Sequence, residues 1–354
     1  MGMHIGRTRL GAITLAAVTM AGLAGGPAWS DEAGKIVVSS WGGAFTKATL
    51  DNFVAPFAEE KGIEYQMVDA SGQHMAQVQA QAGAGKVTWD VIDSLDEATA
   101  AVMFERGLLE PLPPEVKKVL EENSAPGMVT DYGIMLSSIA SPFICNNEKV
   151  AACPSNAAEF FDIDKFPGDR SAYTNPFDTL ILALKALGVG DRAPTADEVD
   201  QAFALIEKIQ PSLRTLWDSG EQSMQLMRSG EVAIMPIWNR PARTLSEETP
   251  GKWTVNWKDA PYGPAYIVVV KGAPHKELAF QYLEYYATHP EQQASWSSTT
   301  SYGVANPKAL ASITPEAIAW LPETHLDDVL HGNVQWWIEN RDSLVQRWRQ
   351  VISN

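Results

Sequence analysis

The sequence predicts an α/β protein in two lobes, each built on its own sheet. Between Lys35 and Gly107, short β-branched runs alternate with longer helical patterns, which is how a doubly wound parallel sheet is written. The block GIMLSSIASPFICNN, residues 133–147, is apolar and strand-like with no long helix after it, so the chain is expected to cross there into another lobe. A chain of 354 residues is long enough to bury two separate cores.

The elements follow in order. KIVVSSW, 35–41, is a short β-branched run that reads as a buried strand. AFTKATLDNFVAPFAEEKG places Phe45, Leu50, Phe53, Val54 and Phe57 near helical spacing and stops at Gly62. IEYQMVDA is a second strand, SGQHMAQVQAQAGAG a helix expected to be capped by Ser71, WDVIDS a third strand and DEATAAVMFERG another helix. The second lobe is expected to contain a helix around DTLILALKALG, a TADEVDQAFALIEKIQPSL helix capped by Thr195, and the helix EQSMQLMRSG leading into the strand EVAIMPIW. APYGPAYIVVV, 260–270, reads as the return crossing, HKELAFQYLEYYATHP as a helix and SYGVANP as a turn. In the tail, Val334, Trp337, Leu344, Val345, Trp348 and Val351 recur at helical spacing, a pattern that packing explains better than a cofactor does. The first lobe is thus expected over 31–138 and 265–354, C-terminal helices included, and the second over 139–264.

The first thirty residues have a basic start at Arg7 and Arg9, an apolar run from Leu10 to Gly25 and small residues before Asp31, which is how an export signal is built; cleavage is expected after Ser30. The apolar run is too rich in Ala, Gly and Thr for a membrane span, and a soluble periplasmic protein is expected. Removing the two arginines takes the formal charge from −16 to about −18, which disfavours nucleic acid and anionic membranes as partners. Such a field steers cationic solutes, although it is more often simply a solubilising surface. Cys145 and Cys153 flank the loop NNEKVAA in an exported chain, where a local disulfide is expected. Two thiols without a nearby histidine do not complete a metal site.

Catalytic signatures fail one after another. QAGAGKVT lacks the first glycine of a phosphate-binding loop and has Val87 after Lys86. WGGAFTK does not fit G-x-G-x-x-G, and neither H-E-x-x-H nor G-x-S-x-G occurs. DIDKFPG places its glycine one position late for a calcium loop. His74, His275, His289, His325 and His331 are scattered, so no ligand cluster, metal or cofactor is expected. An exported enzyme would need a nucleophile and base that the sequence does not name, and an adhesion protein would need repeats or an anchor.

What remains is a set of aromatic and polar residues at the ends of strands. Trp41 ends the first strand, Ser94 and Asp96 follow the third, Trp238 ends EVAIMPIW, and Tyr302 lies in the late turn. In open α/β sheets ligands lie beyond the carboxyl ends of strands, so these places can converge on one crevice. Each residue alone is more often packing, and Trp238, followed by the polar pair Asn239 and Arg240, fits that least. Gly42 and Gly43 would let the chain turn tightly and leave Trp41 as a flat wall.

The stretches SSWGGAF, WDVIDS, ALKALG, MRSGEVAIMPIWNRPA and the SYGVANP turn after HPEQQASW together resemble the periplasmic solute-binding proteins of ABC importers, in the branch that includes spermidine/putrescine-binding proteins. The resemblance covers most of the chain after the leader. It implies a two-lobed periplasmic binding protein fold of type II-like architecture, with a ligand cleft between lobes joined by two crossing strands. It also implies a monomer that passes a small amine or amino-acid ligand to ABC importer membrane subunits, with no catalysis and no cofactor. In polyamine-binding relatives two tryptophans and a tyrosine box the ligand, and Trp41, Trp238 and Tyr302 match those positions. A carboxylate pair at the start of the ALKALG helix holds one amine; here Asn175 replaces the first acid and Asp178 keeps the second. The acid for the other amine falls near Ala265 and is lost, and the tyrosine after the third strand is replaced by Leu95 or Asp96. Arg240 is a candidate clamp for a carboxylate, with a structural or solvated arginine as the alternative. The expected ligand is therefore a single-amine or zwitterionic solute such as γ-aminobutyrate, with a polyamine as the alternative if Asp93 or Asp96 takes over the lost role.

Overall fold

A computed structural model of the chain describes residues 34–353; the leader and its expected cleavage site lie outside the described residues. Eleven strands are present among them: β1 (Lys35–Ser40), β2 (Glu64–Asp69), β3 (Val91–Asp96), β4 (Gly133–Ala140), β5 (Phe143–Asn146), β6 (Arg170–Tyr173), β7 (Leu213–Trp217), β8 (Ile234–Pro236), β9 (Trp253–Asn256), β10 (Ala260–Val269) and β11 (Val329–His331). They form two sheets. The first has the order β11-β10-β3-β1-β2, with β4 also paired to β10, and the second has the order β7-β6-β8-β5-β9.

β1 pairs parallel with both β2 and β3, as expected when each strand is followed by a helix that carries the chain back. The helical stretch after β1 runs from Gly43 to Lys61, with a wide π turn at Leu50–Val54 just before Pro56, whose ring nitrogen has no hydrogen to donate. It ends at Gly62, whose φ of 63° is left-handed. Strands β4 and β5 divide the GIMLSSIASPFICNN block between the two sheets, so Ser141 and Pro142 form one crossing. The return lies between β9 and β10. Ser141 N donates to Pro261 O at 2.8 Å, which holds the two crossings side by side. β10 then runs antiparallel to β3 and β4.

Thr195 caps its helix with a reciprocal capping box to Glu198, as the sequence implies. Ser71 does not cap: the helix begins at His74, and the Ser71 hydroxyl donates instead to Asp218 O at 3.1 Å on the other lobe. Cys145 at β5 is joined to Cys153 by a disulfide.

The last helix, Val334–Ser353, departs from its expected place with the first lobe. Trp337, Leu344, Trp348 and Val351 pack with Phe143, Phe160, Leu180 and Ile206 in the second lobe's core, and Ala98 from the first lobe joins the same cluster. β11 belongs to the first sheet, but Gly332 lies so close to Phe177 that an added Cβ would sit 2.6 Å from its ring, and past this point the chain continues onto the second lobe. At the other side of this helix Asp342 pairs with Arg106 at 2.8 Å, so it bridges both lobes.

Candidate functional site

The carboxyl ends of the two sheets face each other across a cavity of about 390 Å³. Trp41, Ser94, Asp96, Asp178, Trp238, Arg240 and Tyr302, seven residues from widely separated places in the sequence, all line it.

Trp41 follows β1, and its position depends on the glycines after it. Gly42 and Gly43 have φ of 87° and 57°, a region open to glycine and strained for other residues. The turn leaves the Trp41 indole free to donate from Nε1 to Ser94 O at 2.5 Å. Behind it stands His74, 4.9 Å between ring centroids, whose pKa is lowered to about 4 by burial, so the ring that backs Trp41 is neutral. Trp238 reaches Trp41 from the second lobe, edge to face, at 5.6 Å and 87°. Trp217 and Tyr173 hold Trp238 in turn, at 4.9 and 5.3 Å. Tyr302 is nearly buried, packed on Trp296 and Phe45.

The charged groups are separated within this aromatic frame. Asp178 lies in the first turn of the helix Pro176–Ala186 and its Oδ2 accepts from Ser141 Oγ at 3.3 Å, beside the first crossing. Burial pushes its carboxyl up to about 7, the charge of Asp96 adds to the rise, and the Ser141 hydroxyl opposes it. Asp96 caps the helix Glu97–Glu105 by accepting from Thr99 N at 2.9 Å. Asn175 is likewise a helix cap, accepting from Phe177 N at 3.2 Å. Arg240 is next to neither acid. Burial and then Arg243 lower its pKa, while Tyr302, Glu247 and Glu221 offset this in part. No carboxylate forms an ion pair with it among the described residues, so a guanidinium fork is left facing the cavity.

Ala265 also lines the cavity, and its cross-strand partner on β3 is Asp96. Leu95, by contrast, is buried in the first core, and Asp93 is fully buried behind the wall rather than on it. Sequence reasoning missed Tyr173, Glu97, Tyr262 and Glu221, which line the cavity too. Tyr173 ends β6, so the strand-end rule that found Trp41 and Trp238 would have found it had β6 been recognised. Glu97 directly follows Asp96, and burial followed by the Asp96 charge raises its pKa. Nothing local marks Tyr262, which reaches the site because β10 crosses under it.

A family model described as bacterial extracellular solute-binding protein matches residues 52–322. This chain belongs to that family. The solute-binding protein is 27% identical over 339 residues to a γ-aminobutyric acid-binding protein of Pseudomonas aeruginosa, covering 94% of each chain. Among solved structures it resembles the binding protein MotA from A. tumefaciens B6 in complex with glucopine, with a TM-score of 0.81, 26% identity and coverage of 90% of this chain and 99% of that one. It also resembles a γ-aminobutyrate receptor, with a TM-score of 0.79, 29% identity and coverage of 90% and 98%. These neighbours share the two-lobed architecture described above. The cavity between the two sheets is therefore the candidate solute cleft of this family member, with walls from both lobes.

Proposed function

We propose that this solute-binding protein captures a small solute bearing one amine and one carboxylate, of the γ-aminobutyrate kind, and delivers it from the periplasm to the membrane subunits of an ABC importer without chemistry of its own. The observation that carries this reading is the separation of charge in one cavity, with Asp178 and Asp96 near the crossing and Arg240 unpaired beside Tyr302. Trp41 and Trp238, in contact edge to face, supply apolar ring surface along which the methylene chain that joins the two charged ends can lie. A diamine would bring its second ammonium toward a guanidinium, and an unpaired buried charge costs about 3 to 5 kcal/mol against about 0.5 to 2 from an aromatic face. The named function of the Pseudomonas aeruginosa relative points the same way.

Capture would proceed by lobe closure about the two crossings tied at Ser141 and Pro261, because the walls on the two lobes grip a solute only when they meet. The leader, cleaved near Ser30, would bring the chain to that compartment.

A second reading, a putrescine- or spermidine-binding protein, is favoured by one observation: Asp96 is the cross-strand partner of Ala265 and can offer a carboxylate where the family's acid is lost. Calorimetry with γ-aminobutyrate, putrescine and spermidine on the wild type, Asp178→Ala and Arg240→Ala separates them. The expected result is γ-aminobutyrate binding that both substitutions abolish. Tight putrescine binding that is indifferent to Arg240→Ala would establish the second reading in its place.

A further inference from the structure

The amine end of the cavity holds more acceptor than an amine can use. Asp96, Glu97 and Asp178 all line it. Asp96 gives Oδ1 to Thr99 N and Asp178 gives Oδ2 to Ser141 Oγ, which leaves both Glu97 oxygens and one oxygen on each aspartate without a donor. No Lys, Arg or His pairs with any of the three among the described residues, and the three do not converge into a set that could hold a metal ion. Asp96 and Glu97 enter the cavity from the first lobe and Asp178 from the second, and the charge of Asp96 raises the other two. An ammonium carries three donors on a single atom, whereas a guanidinium presents five in a flat fork.

The walls suit a flat cation as well. Trp41, Trp238 and Tyr173 offer three ring surfaces in mutually tilted planes beside these acids, and a guanidinium stacks on aromatic faces where an ammonium only approaches them. Space is not limiting. The cavity of about 390 Å³ is within the range of small-molecule sites and admits a solute longer than γ-aminobutyrate.

We infer that the solute's cationic end is a guanidinium, so that the substrate class is a guanidino carboxylic acid whose flat cation spans Asp96, Glu97 and Asp178 while its carboxylate meets Arg240. This deepens the reading given above and rests on it. The test is calorimetry on the leaderless chain with 4-guanidinobutyrate, γ-aminobutyrate and agmatine, for the wild type, Glu97→Gln and Arg240→Ala, with thermal unfolding of each variant to confirm that it is folded. The expected result is that 4-guanidinobutyrate binds at least about ten-fold tighter than γ-aminobutyrate, a difference that one charge-assisted bidentate contact can supply. Glu97→Gln should then weaken 4-guanidinobutyrate more than γ-aminobutyrate. Arg240→Ala should weaken both acids and spare agmatine, which lacks the carboxylate. Equal or tighter binding of γ-aminobutyrate overturns the guanidinium and leaves the amino-acid reading standing. Agmatine as the tightest ligand, or binding of none of the three, overturns both.

Discussion

Asn239 ties the two lobes together through Ser301. Its amide nitrogen donates to Ser301 O at 2.7 Å and to Trp320 O at 2.9 Å, while its Oδ1 accepts from Ala140 N at 3.4 Å beside the first crossing. Arg243, one helical turn on, donates to Ser301 Oγ at 2.6 Å. Ser301 holds a left-handed φ of 57° at the end of its helix, and the next residue is Tyr302. The turn that carries Tyr302 and the helix that begins with Asn239 and Arg240 are thus one unit, and the polar residues near the hinge set the aromatic wall.

Removing the Asn239 amide should therefore loosen both. Asn239→Ala leaves the buried carbonyl of Ser301 and the partly buried carbonyl of Trp320 without their donor, at about 1 to 3 kcal/mol for the buried one before relaxation and less for the other. Urea unfolding should show a loss of about 2 to 4 kcal/mol, and ligand affinity should fall with it. A variant with wild-type stability would show that water replaces the amide at no cost.

Acid and base should act in opposite senses on binding and stability. A carboxyl raised in the fold favours its neutral form there, so ionising Asp178 costs stability as pH rises from its unfolded value, near 4, through about 7. A cationic solute needs the ionised form, so affinity should strengthen from pH 5 to about 7 and then level off. Asp178→Asn should flatten that rise. Asp93, raised to about 8 by burial and lying off the cavity wall, should extend the loss of stability toward pH 8 without touching affinity, and Asp93→Asn checks this by unfolding and binding in parallel.

The disulfide should contribute stability and nothing to recognition. Cys145 and Cys153 are eight positions apart, and closing so short a loop is worth about 2 to 3 kcal/mol in the chain-entropy account. The double variant Cys145→Ser/Cys153→Ser should unfold earlier by that amount and bind ligand as the wild type does, since neither residue lines the cavity. Thiol titration of the unfolded, unreduced protein should find no free thiol.

Closure should be visible in solution. Trp41 on the first lobe touches Trp238 on the second, so if ligand brings the lobes together it should change tryptophan fluorescence and reduce the radius of gyration in small-angle scattering. Unchanged curves at confirmed saturation would mean that the lobes do not move. Trp41→Phe should keep the change in radius and lose most of the fluorescence response.

The sequence by itself determined the elements and the direction in which the site would lie. Strands β1, β3 and β10, the capped helix at Thr195 and the stripe in Val334–Ser353 follow from periodicity and capping, which act within a few residues. Trp41, Trp238 and Tyr302 were legible for the same reason, because the end of a strand or helix is a local property and the crevice lies beyond it. Only the tertiary structure decided which partner each side chain meets. Ser71 reads as a cap but donates across the cleft to Asp218, and the stripe on the last helix announces a buried face without saying that the second lobe would bury it. The rise of Asp178 has the same origin: its helix and the end of β3 are some eighty residues apart, and the fields of Asp96 and Asp178 combine only when the two sheets bring them to one cavity, where little water remains to screen them.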